Sequence, residues 1–233
     1  MTTLGLRGDV AVLVAAAGLG VRLGAGSPKA LRRVRGASLL EHAVRRVAAS
    51  PSVGCIVVAA PVGHADLIDK NLSVPPAVRL LVVEGGATRQ ASVAAALAAV
   101  PDGFGIILVH DAARAFAPPE LVERVAAAVR AGHDAVVPVL PVVDTIKQVD
   151  ADGYVTATPP RESLRTVQTP QGFRRSVLEL AHGSAAGAST DDATLVEWIG
   201  LRVLCVPGSE AALKITRPAD LVTAEQFAAV EPG

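Results

Sequence analysis

Residues 10–29, VAVLVAAAGLGVRLGAGSPK, join an apolar run of strand length to a glycine-rich turn that carries an arginine and a lysine. Glycines allow a positive φ and let a ligand approach the backbone amides closely. Arg22 and Lys29 follow the first glycines and are able to neutralise phosphate charge. The pattern therefore predicts a loop that binds a nucleotide triphosphate. The alternative is a strand-to-helix turn with solvated basic residues.

The glycine spacing excludes two common nucleotide-binding loops. A P-loop needs a Gly-Lys-Ser/Thr sequence, and no Gly-Lys pair occurs in this stretch. A dinucleotide fingerprint needs G-x-G-x-x-G, and Leu23 occupies the place of the third glycine.

Apolar runs of strand length recur along the first 142 residues and alternate with helical patterns. After the first run they lie at 55–60, 78–86, 105–111 and 134–142. Residues 38–49 and 118–132 repeat apolar positions on one helical face. This βα alternation predicts an α/β fold with a Rossmann-like, doubly wound, mostly parallel sheet, in one domain spanning residues 1–233. Ligands of such sheets bind beyond the carboxyl ends of the strands, where the glycine loop begins.

A different pattern occupies about residues 143–168. Two alternating runs flank the turn sequence of residues 150–153, DADG, which predicts a β-hairpin. An isolated ribbon is marginally stable, so we expect this β-arm to pack on a second subunit and to serve dimerisation. A plain surface excursion is the alternative.

Composition limits the partners and the compartment. The chain has 233 residues with 22 basic and 22 acidic side chains, so no overall field attracts nucleic acid or an anionic membrane. Cys55 and Cys205 lie in apolar runs, which favours buried reduced thiols over a disulfide. Neither a membrane span nor a secretory leader is indicated, and we expect a cytoplasmic protein.

A second glycine turn, GGATRQASV at residues 85–93, precedes an alanine-rich helical pattern. Arg89 and Ser92 fall near the start of that helix. Amides and a hydroxyl at such a position are able to contact a base or ribose, and Arg89 is able to orient the loop. Ordinary helix capping is the alternative interpretation.

HDAAR at residues 110–114 places Asp111 at the carboxyl end of a strand expected near the middle of the sheet. An aspartate there is suited to a ligand hydroxyl or to Mg²⁺, and Arg114 to a phosphate. The alternative is an ion pair between Asp111 and Arg114. His110, in an apolar run, is interpreted as a core histidine.

Two later segments add candidates. Thr190, Asp191 and Asp192 predict a helix N-terminus with Thr190 as the cap, and metal ligation by the two acids is the alternative. Lys214 is one of only four lysines and lies in a predicted short apolar strand before a helix led by Pro218. A ligand contact is expected for it, with snorkelling to solvent as the alternative.

Seven motifs occur in the order found in 2-C-methyl-D-erythritol 4-phosphate cytidylyltransferases, and the resemblance covers nearly the whole chain. They are AAAGLGVRLGAGSPK, GGATRQASV, HDAAR, DTIKQV, TPQGF, TDDATLVE and LKITRPADL. The resemblance implies transfer of the cytidylyl group of CTP to 2-C-methyl-D-erythritol 4-phosphate with release of pyrophosphate, in isoprenoid precursor biosynthesis. It also implies Mg²⁺ bound with CTP and a homodimer whose β-arms exchange.

The same resemblance implies roles for individual residues. Triphosphate contacts fall on Ala16, Ala17, Gly18, Arg22 and Lys29; cytosine and ribose contacts fall on Gly86, Ser92 and Ala112. Methylerythritol phosphate contacts fall on Asp111, Arg114, Thr145, Thr169, Thr190 and Lys214, with Arg161 reaching from the partner's arm. Arg22, Lys29 and Lys214 are the implied catalytic residues, and Asp111 is a candidate metal ligand. Ala87 departs from the acidic or polar residue frequent at its position.

Three other functions are compatible with parts of the sequence. A cytidylyltransferase for another polyol phosphate, such as ribitol 5-phosphate, would share the nucleotide half. A non-catalytic CTP-binding module would keep the loop without turnover. A dinucleotide-dependent oxidoreductase is disfavoured by the missing third glycine.

Overall fold

A computed structural model describes residues 8–18, 28–185 and 187–229. The described strands are β1 (Val10–Ala15), β2 (Arg33–Val34), β3 (Ala37–Ser38), β4 (Val53–Ala60), β5 (Arg79–Glu84), β6 (Ile106–Asp111), β7 (Ala135–Pro141), β8 (Gln148–Val149), β9 (Val155–Ala157), β10 (Arg165–Val167), β11 (Gln171–Arg174) and β12 (Val203–Pro207). The described helices are α1 (Leu39–Ala49), α2 (Ala65–Asn71), α3 (Arg89–Ala98), α4 (Pro119–Arg130), α5 (Arg175–Gly183), α6 (Asp192–Trp198) and α7 (Pro218–Ala229). Most of the glycine loop, with Arg22, lies outside the described residues.

The main sheet has the strand order β10-β7-β11-β6-β1-β4-β5, and β12 pairs with β7. Strands β1, β4, β5 and β6 are mutually parallel where they pair. The doubly wound, mostly parallel α/β fold predicted from the sequence is confirmed.

Strand β1 is the topological switch point of the sheet, because β4 and β5 lie on one side of it and β6 lies on the other. It pairs with β4 on one side and with β6 on the other, and the register places Ala15 opposite Asp111. The chain leaves β1 for β4 on one side and returns from β5 to β6 on the other, which opens a crevice beyond the carboxyl ends of β1 and β6. This crevice is where a doubly wound sheet binds its ligand.

Alternating side chains of β1 contribute to the two halves of the core. Val10, Val12 and Val14 pack with buried residues of α1 and α4 on one face, whereas Ala11 and Leu13 pack with residues of α3, α5 and α6 on the other. Because successive side chains of a strand point to opposite faces, an apolar run with no polar position requires helices on both sides.

Two features of the second half of the chain differ from the sequence-based expectation. Strand β11 inserts antiparallel between β6 and β7, so β7 is in the sheet but does not pair with β6. Lys214 does not lie in a strand: an irregular segment carries it between a 3₁₀ turn and α7, and the amide of Ile215 donates to the carbonyl of Ala113.

The β-arm contains the predicted hairpin. Strands β8 and β9 form a separate two-stranded antiparallel sheet around the 150–153 turn. The arm carries several exposed apolar side chains, among them Val143 and Tyr154 at 77% and 74% exposure. Its role in dimerisation stays a prediction.

Among the described residues, no helix has both the length and the apolar surface that crossing a bilayer requires.

Candidate active site

A cavity of about 400 Å³ lies beyond the carboxyl ends of β1 and β6. It contains every described residue that was expected to bind the nucleotide: Ala16, Ala17, Gly18, Lys29, Gly86, Ser92 and Ala112. Arg89 and Asp111 also line it. The expected contact from Arg22 lies outside the described residues.

The turn between β5 and α3 closes one side of this cavity. Thr88 caps α3, with its hydroxyl accepting from the amide of Ala91 at 3.0 Å. The buried hydroxyl of Ser92 accepts from the amide of Gly86 at 3.1 Å and donates to the carbonyl of Thr88 at 2.8 Å. A Cβ on Gly86 would lie 2.5 Å from the Cβ of Ala91, so only glycine fits there. Ser92 therefore holds the shape of the turn at the cavity wall.

Asp111, the last residue of β6, is held between two cations. Its Oδ1 accepts from Nε of Arg89 at 3.0 Å and its Oδ2 accepts from Nζ of Lys214 at 2.8 Å. Burial alone would raise the pKa of the Asp111 carboxyl, but the charges and hydrogen bonds of Arg89 and Lys214 outweigh it and hold this pKa below its usual value. The alternative ion pair between Asp111 and Arg114 is not formed, because the guanidinium of Arg114 donates to main-chain carbonyls instead.

A second cavity, of about 500 Å³, adjoins the first and shares Arg89 and Asp111 with it. Five residues expected to contact the acceptor line it: Asp111, Arg114, Thr169, Thr190 and Lys214. Thr145 and Arg161, both in the β-arm segment, line neither cavity within this chain. Arg161 donates to the carbonyl of Val143 instead.

Arg114 is anchored by main-chain acceptors. Its Nη1 donates to the carbonyl of Ala212 at 2.7 Å and its Nη2 to the carbonyl of Val167 at 3.0 Å. Burial lowers the pKa of its guanidinium. These bonds fix β10 and the segment before Lys214 against the HDAAR turn, so Arg114 shapes the second cavity that it also lines.

Thr169 and His110 form a buried hydrogen-bond network with the backbone of Asp111. The amide of Asp111 donates to Oγ1 of Thr169 at 3.0 Å, and the same oxygen lies 3.0 Å from Nδ1 of His110. His110 is fully buried, as predicted for a core histidine. Burial lowers the pKa of His110 to about 4 and keeps its ring neutral at pH 7.

The Thr190–Asp192 segment differs from its predicted capping pattern. Asp191, not Thr190, caps α6 by accepting from the amide of Thr194 at 3.1 Å. Both residues are competent caps, and the helix begins one residue later than Thr190 would require. Asp192 is buried and bonds to Arg89 and His182. This contact from Arg89 to Asp192 was not predicted.

The described residues offer few carboxylates that could bind a metal ion. Among the described residues, no group of three or more His, Cys, Asp or Glu side chains could hold a metal ion. Asp111 accepts from Arg89 and Lys214, and the two other candidates, Asp191 and Asp192, are engaged in the α6 cap and in the contacts to Arg89 and His182. Mg²⁺ is commonly bound through one or two carboxylates together with substrate phosphates. The residues therefore fit a metal held mainly by a nucleotide, and do not form a protein cage.

The switch-point crevice, the turn at Gly86 and the side chains of Lys29 and Lys214 are typical of a nucleotide-binding α/β transferase. A family model described as IspD: 2-C-methyl-D-erythritol 4-phosphate cytidylyltransferase matches residues 10–229. The chain belongs to this family of nucleotidyltransferases.

Individual relatives support the same assignment. A 2-C-methyl-D-erythritol 4-phosphate cytidylyltransferase of Frankia casuarinae is 53% identical over 220 residues, which are 94% of this chain and 81% of the relative. One of Saccharopolyspora erythraea is 53% identical over 223 residues, or 93% of this chain and 98% of the relative. The crystal structure of the Thermus thermophilus cytidylyltransferase superposes with a TM-score of 0.77 at 40% identity, covering 95% of this chain and 100% of that one.

Proposed function

We propose that this protein transfers the cytidylyl group of CTP to 2-C-methyl-D-erythritol 4-phosphate, giving 4-diphosphocytidyl-2-C-methyl-D-erythritol and pyrophosphate, in isoprenoid precursor biosynthesis. One observation carries the proposal: two cavities meet at Arg89 and Asp111 on the switch-point edge of the sheet. Two substrates bound there would have their reacting phosphates side by side. The family membership and the names of the relatives supply the identities of the substrates.

In this reaction an oxygen of the acceptor phosphate attacks the α-phosphorus of CTP. A new O–P bond forms. The bond between the α-phosphorus and the oxygen that bridges to the β-phosphorus breaks, and pyrophosphate leaves with the electron pair. The acceptor phosphate has a second pKa of about 6 and is mostly a dianion near pH 7, so it needs no general base. Catalysis then depends on alignment and on positive charge around the reacting phosphorus.

The first cavity is assigned to CTP. The amides at Ala16, Ala17 and Gly18 would receive the triphosphate, with Lys29 and Arg22 neutralising its charge. The turn at Gly86 and Ser92, with Ala112 opposite, would contact the cytosine and ribose. Ala87 has only a methyl side chain, so a contact at this position would come from the backbone.

The second cavity is assigned to the acceptor. Asp111, an ionised carboxylate, accepts hydrogen bonds only and suits polyol hydroxyls. Lys214 lies against Asp111 where the cavities meet, and Nζ has two further hydrogens for phosphate oxygens. Arg114, Thr169 and Thr190 line the remaining wall.

Mg²⁺ is proposed as a cofactor that binds with CTP. Bound mainly to triphosphate oxygens, it would reduce the negative charge that opposes attack on the α-phosphorus. Asp111 is the protein carboxylate that lines both cavities and is a candidate to coordinate the ion. Its two oxygens accept from Arg89 and Lys214, so direct coordination would use a remaining lone pair of one of them.

The active unit is proposed to be a homodimer in which β-arms exchange. The exposed apolar side chains of the arm would be buried between subunits, and Arg161 and Thr145 would reach the acceptor cavity of the partner. This arrangement explains why neither residue lines a cavity of its own chain. We place the enzyme in the cytoplasm, without nucleic-acid or membrane partners, since its charges balance and its cysteines are unpaired.

The decisive experiment compares acceptors. Purified protein with CTP and Mg²⁺ is given either 2-C-methyl-D-erythritol 4-phosphate or ribitol 5-phosphate, and pyrophosphate release and product mass are measured. We expect turnover with the first acceptor and at least ~10²-fold lower kcat/KM with the second, because a hydroxyl mismatch leaves buried polar groups unpaired. A preference for ribitol 5-phosphate would reassign the acceptor. CTP binding without any product would identify a binding module.

A further inference from the structure

A buried carboxylate lines neither cavity but contacts a residue that lines both. Asp192, the first residue of α6, is 1% exposed. Its Oδ2 accepts from Nη1 of Arg89 at 2.7 Å and its Oδ1 accepts from Nε2 of His182 at 3.0 Å. A buried charge is costly unless it is paired and hydrogen-bonded, and both oxygens of Asp192 meet that condition.

Arg89 joins this carboxylate to the site. Its planar guanidinium donates from Nε to Asp111 and from Nη1 to Asp192. The remaining nitrogen, Nη2, is buried and has no hydrogen-bond partner among the described residues. The two carboxylates, on β6 and α6, therefore fix the position of the guanidinium between them.

Direct contacts thus connect five side chains from three helices, the end of β6 and the segment before α7. In order they are His182, Asp192, Arg89, Asp111 and Lys214. His182 comes from the end of α5 and lines neither cavity. Its Nε2 must carry a hydrogen, since a carboxylate oxygen only accepts.

We propose that Asp192 and His182 are positioning residues of the active site, which hold Arg89 so that Asp111 keeps one oxygen for Lys214. This inference rests on the proposed transfer reaction. Without the contact to Asp192, the guanidinium of Arg89 is able to turn and engage both oxygens of Asp111 in the bidentate geometry that arginine favours. Lys214 would then share Oδ2 with the guanidinium, and its ammonium would shift at the junction of the cavities.

Variants of His182 test the proposal, because this side chain ends the series of contacts and lines neither cavity. His182→Gln keeps an amide donor near the position of Nε2, whereas His182→Leu keeps bulk without a donor. We expect His182→Leu to raise the KM for the acceptor about 10-fold, with a much smaller change in the KM for CTP, and His182→Gln to restore it. Asp192→Asn should give a larger effect in the same direction.

Asp134→Asn serves as the matched control. Asp134 also pairs with an arginine, Arg174, but at 3.4 Å on the surface and away from both cavities. This variant should keep wild-type kinetics. If His182→Leu lowers Tm yet leaves kcat and both KM values unchanged, the pair has a structural role only and the proposal fails. Equal kinetic defects in His182→Gln and His182→Leu would also overturn it.

A second readout does not depend on turnover. Hydrogen exchange at Nε–H of Arg89, followed by NMR, reports whether its bond to Asp111 is held. We expect the exchange rate to rise about 10-fold or more in His182→Leu and Asp192→Asn, and to stay at the wild-type value in His182→Gln and Asp134→Asn. Unchanged exchange in His182→Leu would refute the positioning role. Absence of turnover in the wild type would refute only the proposed reaction.

Discussion

Nζ of Lys214 lies 2.8 Å from Oδ2 of Asp111, so the segment before α7 meets the end of β6 in one charged contact. Arg89 completes the arrangement from the start of α3. A carboxylate between two cations neutralises part of their charge and fixes where they point. The contact therefore aligns the Lys214 ammonium at the junction of the cavities, and leaves it able to bind a phosphate.

Replacing Lys29 or Lys214 with alanine should lower kcat by at least ~10²-fold, the scale of losing one preorganised donor at a charged transition state. Steady-state pyrophosphate release at saturating CTP and acceptor measures the effect. Lys70→Ala, an exposed residue of α2, is the control and should retain full activity. Near-normal turnover in both active-site variants would contradict the assigned roles.

Exchange of the β-arm predicts complementation between inactive subunits. In a dimer of Lys214→Ala and Arg161→Ala chains, one site has an intact Lys214 and receives an intact Arg161 from the partner. Random mixing makes half of the dimers mixed, with one of two sites intact, so activity should reach about a quarter of the wild-type value.

The control for this experiment combines Lys29→Ala with Lys214→Ala. Both residues belong to the same chain's site, so no mixed dimer regains an intact site and activity should stay low. If the Arg161 and Lys214 variants also fail to complement while mixed dimers form, Arg161 does not act across the interface.

His110 predicts an acid-sensitive contribution to stability. Its pKa is lowered from 6.5 to about 4 by burial, so between these pH values the unfolded chain binds a proton that the folded chain does not. The free energy of unfolding therefore falls as pH drops through this window, by up to about 3 kcal/mol from this group.

His110→Asn should flatten that dependence, since asparagine keeps an acceptor near Nδ1 and does not titrate. Urea unfolding between pH 7 and pH 4.5 measures the difference. The exposed His133→Asn variant should keep the wild-type slope. Parallel curves for wild type and His110→Asn would show that His110 is not the group responsible.

The two cysteines should differ in reactivity. Burial raises the pKa of the Cys55 thiol to about 11, whereas the prediction of a buried thiol is wrong for Cys205, which is exposed and lines the second cavity. Because the thiolate is the nucleophile, a maleimide should modify Cys205 and leave Cys55 intact. Mass spectrometry should show slower labelling when 2-C-methyl-D-erythritol 4-phosphate is present, but not when ribitol 5-phosphate is. Equal labelling with either compound would place the acceptor elsewhere.

Local patterns in the sequence were sufficient for the framework of the fold. The apolar runs of β1 and β4 have no polar side chain, and β5 and β6 are apolar except at or next to their ends, which favours covered faces and parallel pairing. Asp111 could be recognised because a charge at the end of such a run must face the ligand edge. Glycine turns at two strand ends marked the nucleotide cavity in the same way.

Contacts between distant segments could not be read from local patterns. Strand β11 has only four residues, and its place between β6 and β7 depends on pairing with both. Arg89 and Asp192 are 103 residues apart, so nothing near either residue indicated the other. Thr190 and Asp191 were equally suitable caps by residue type, and only the packed position of α6 selects Asp191.

The two cavities come from different parts of the chain. Every residue that lines the first lies between positions 15 and 113, whereas the second takes all but Arg89 and Asp111 from positions 114 to 214. With the cavities assigned to CTP and to the acceptor as proposed, nucleotide choice and acceptor choice would depend on successive parts of one polypeptide. Natural or designed changes from position 114 onward can alter the polyol that is accepted while the nucleotide half is inherited unchanged, provided that Arg89 and Asp111 are kept.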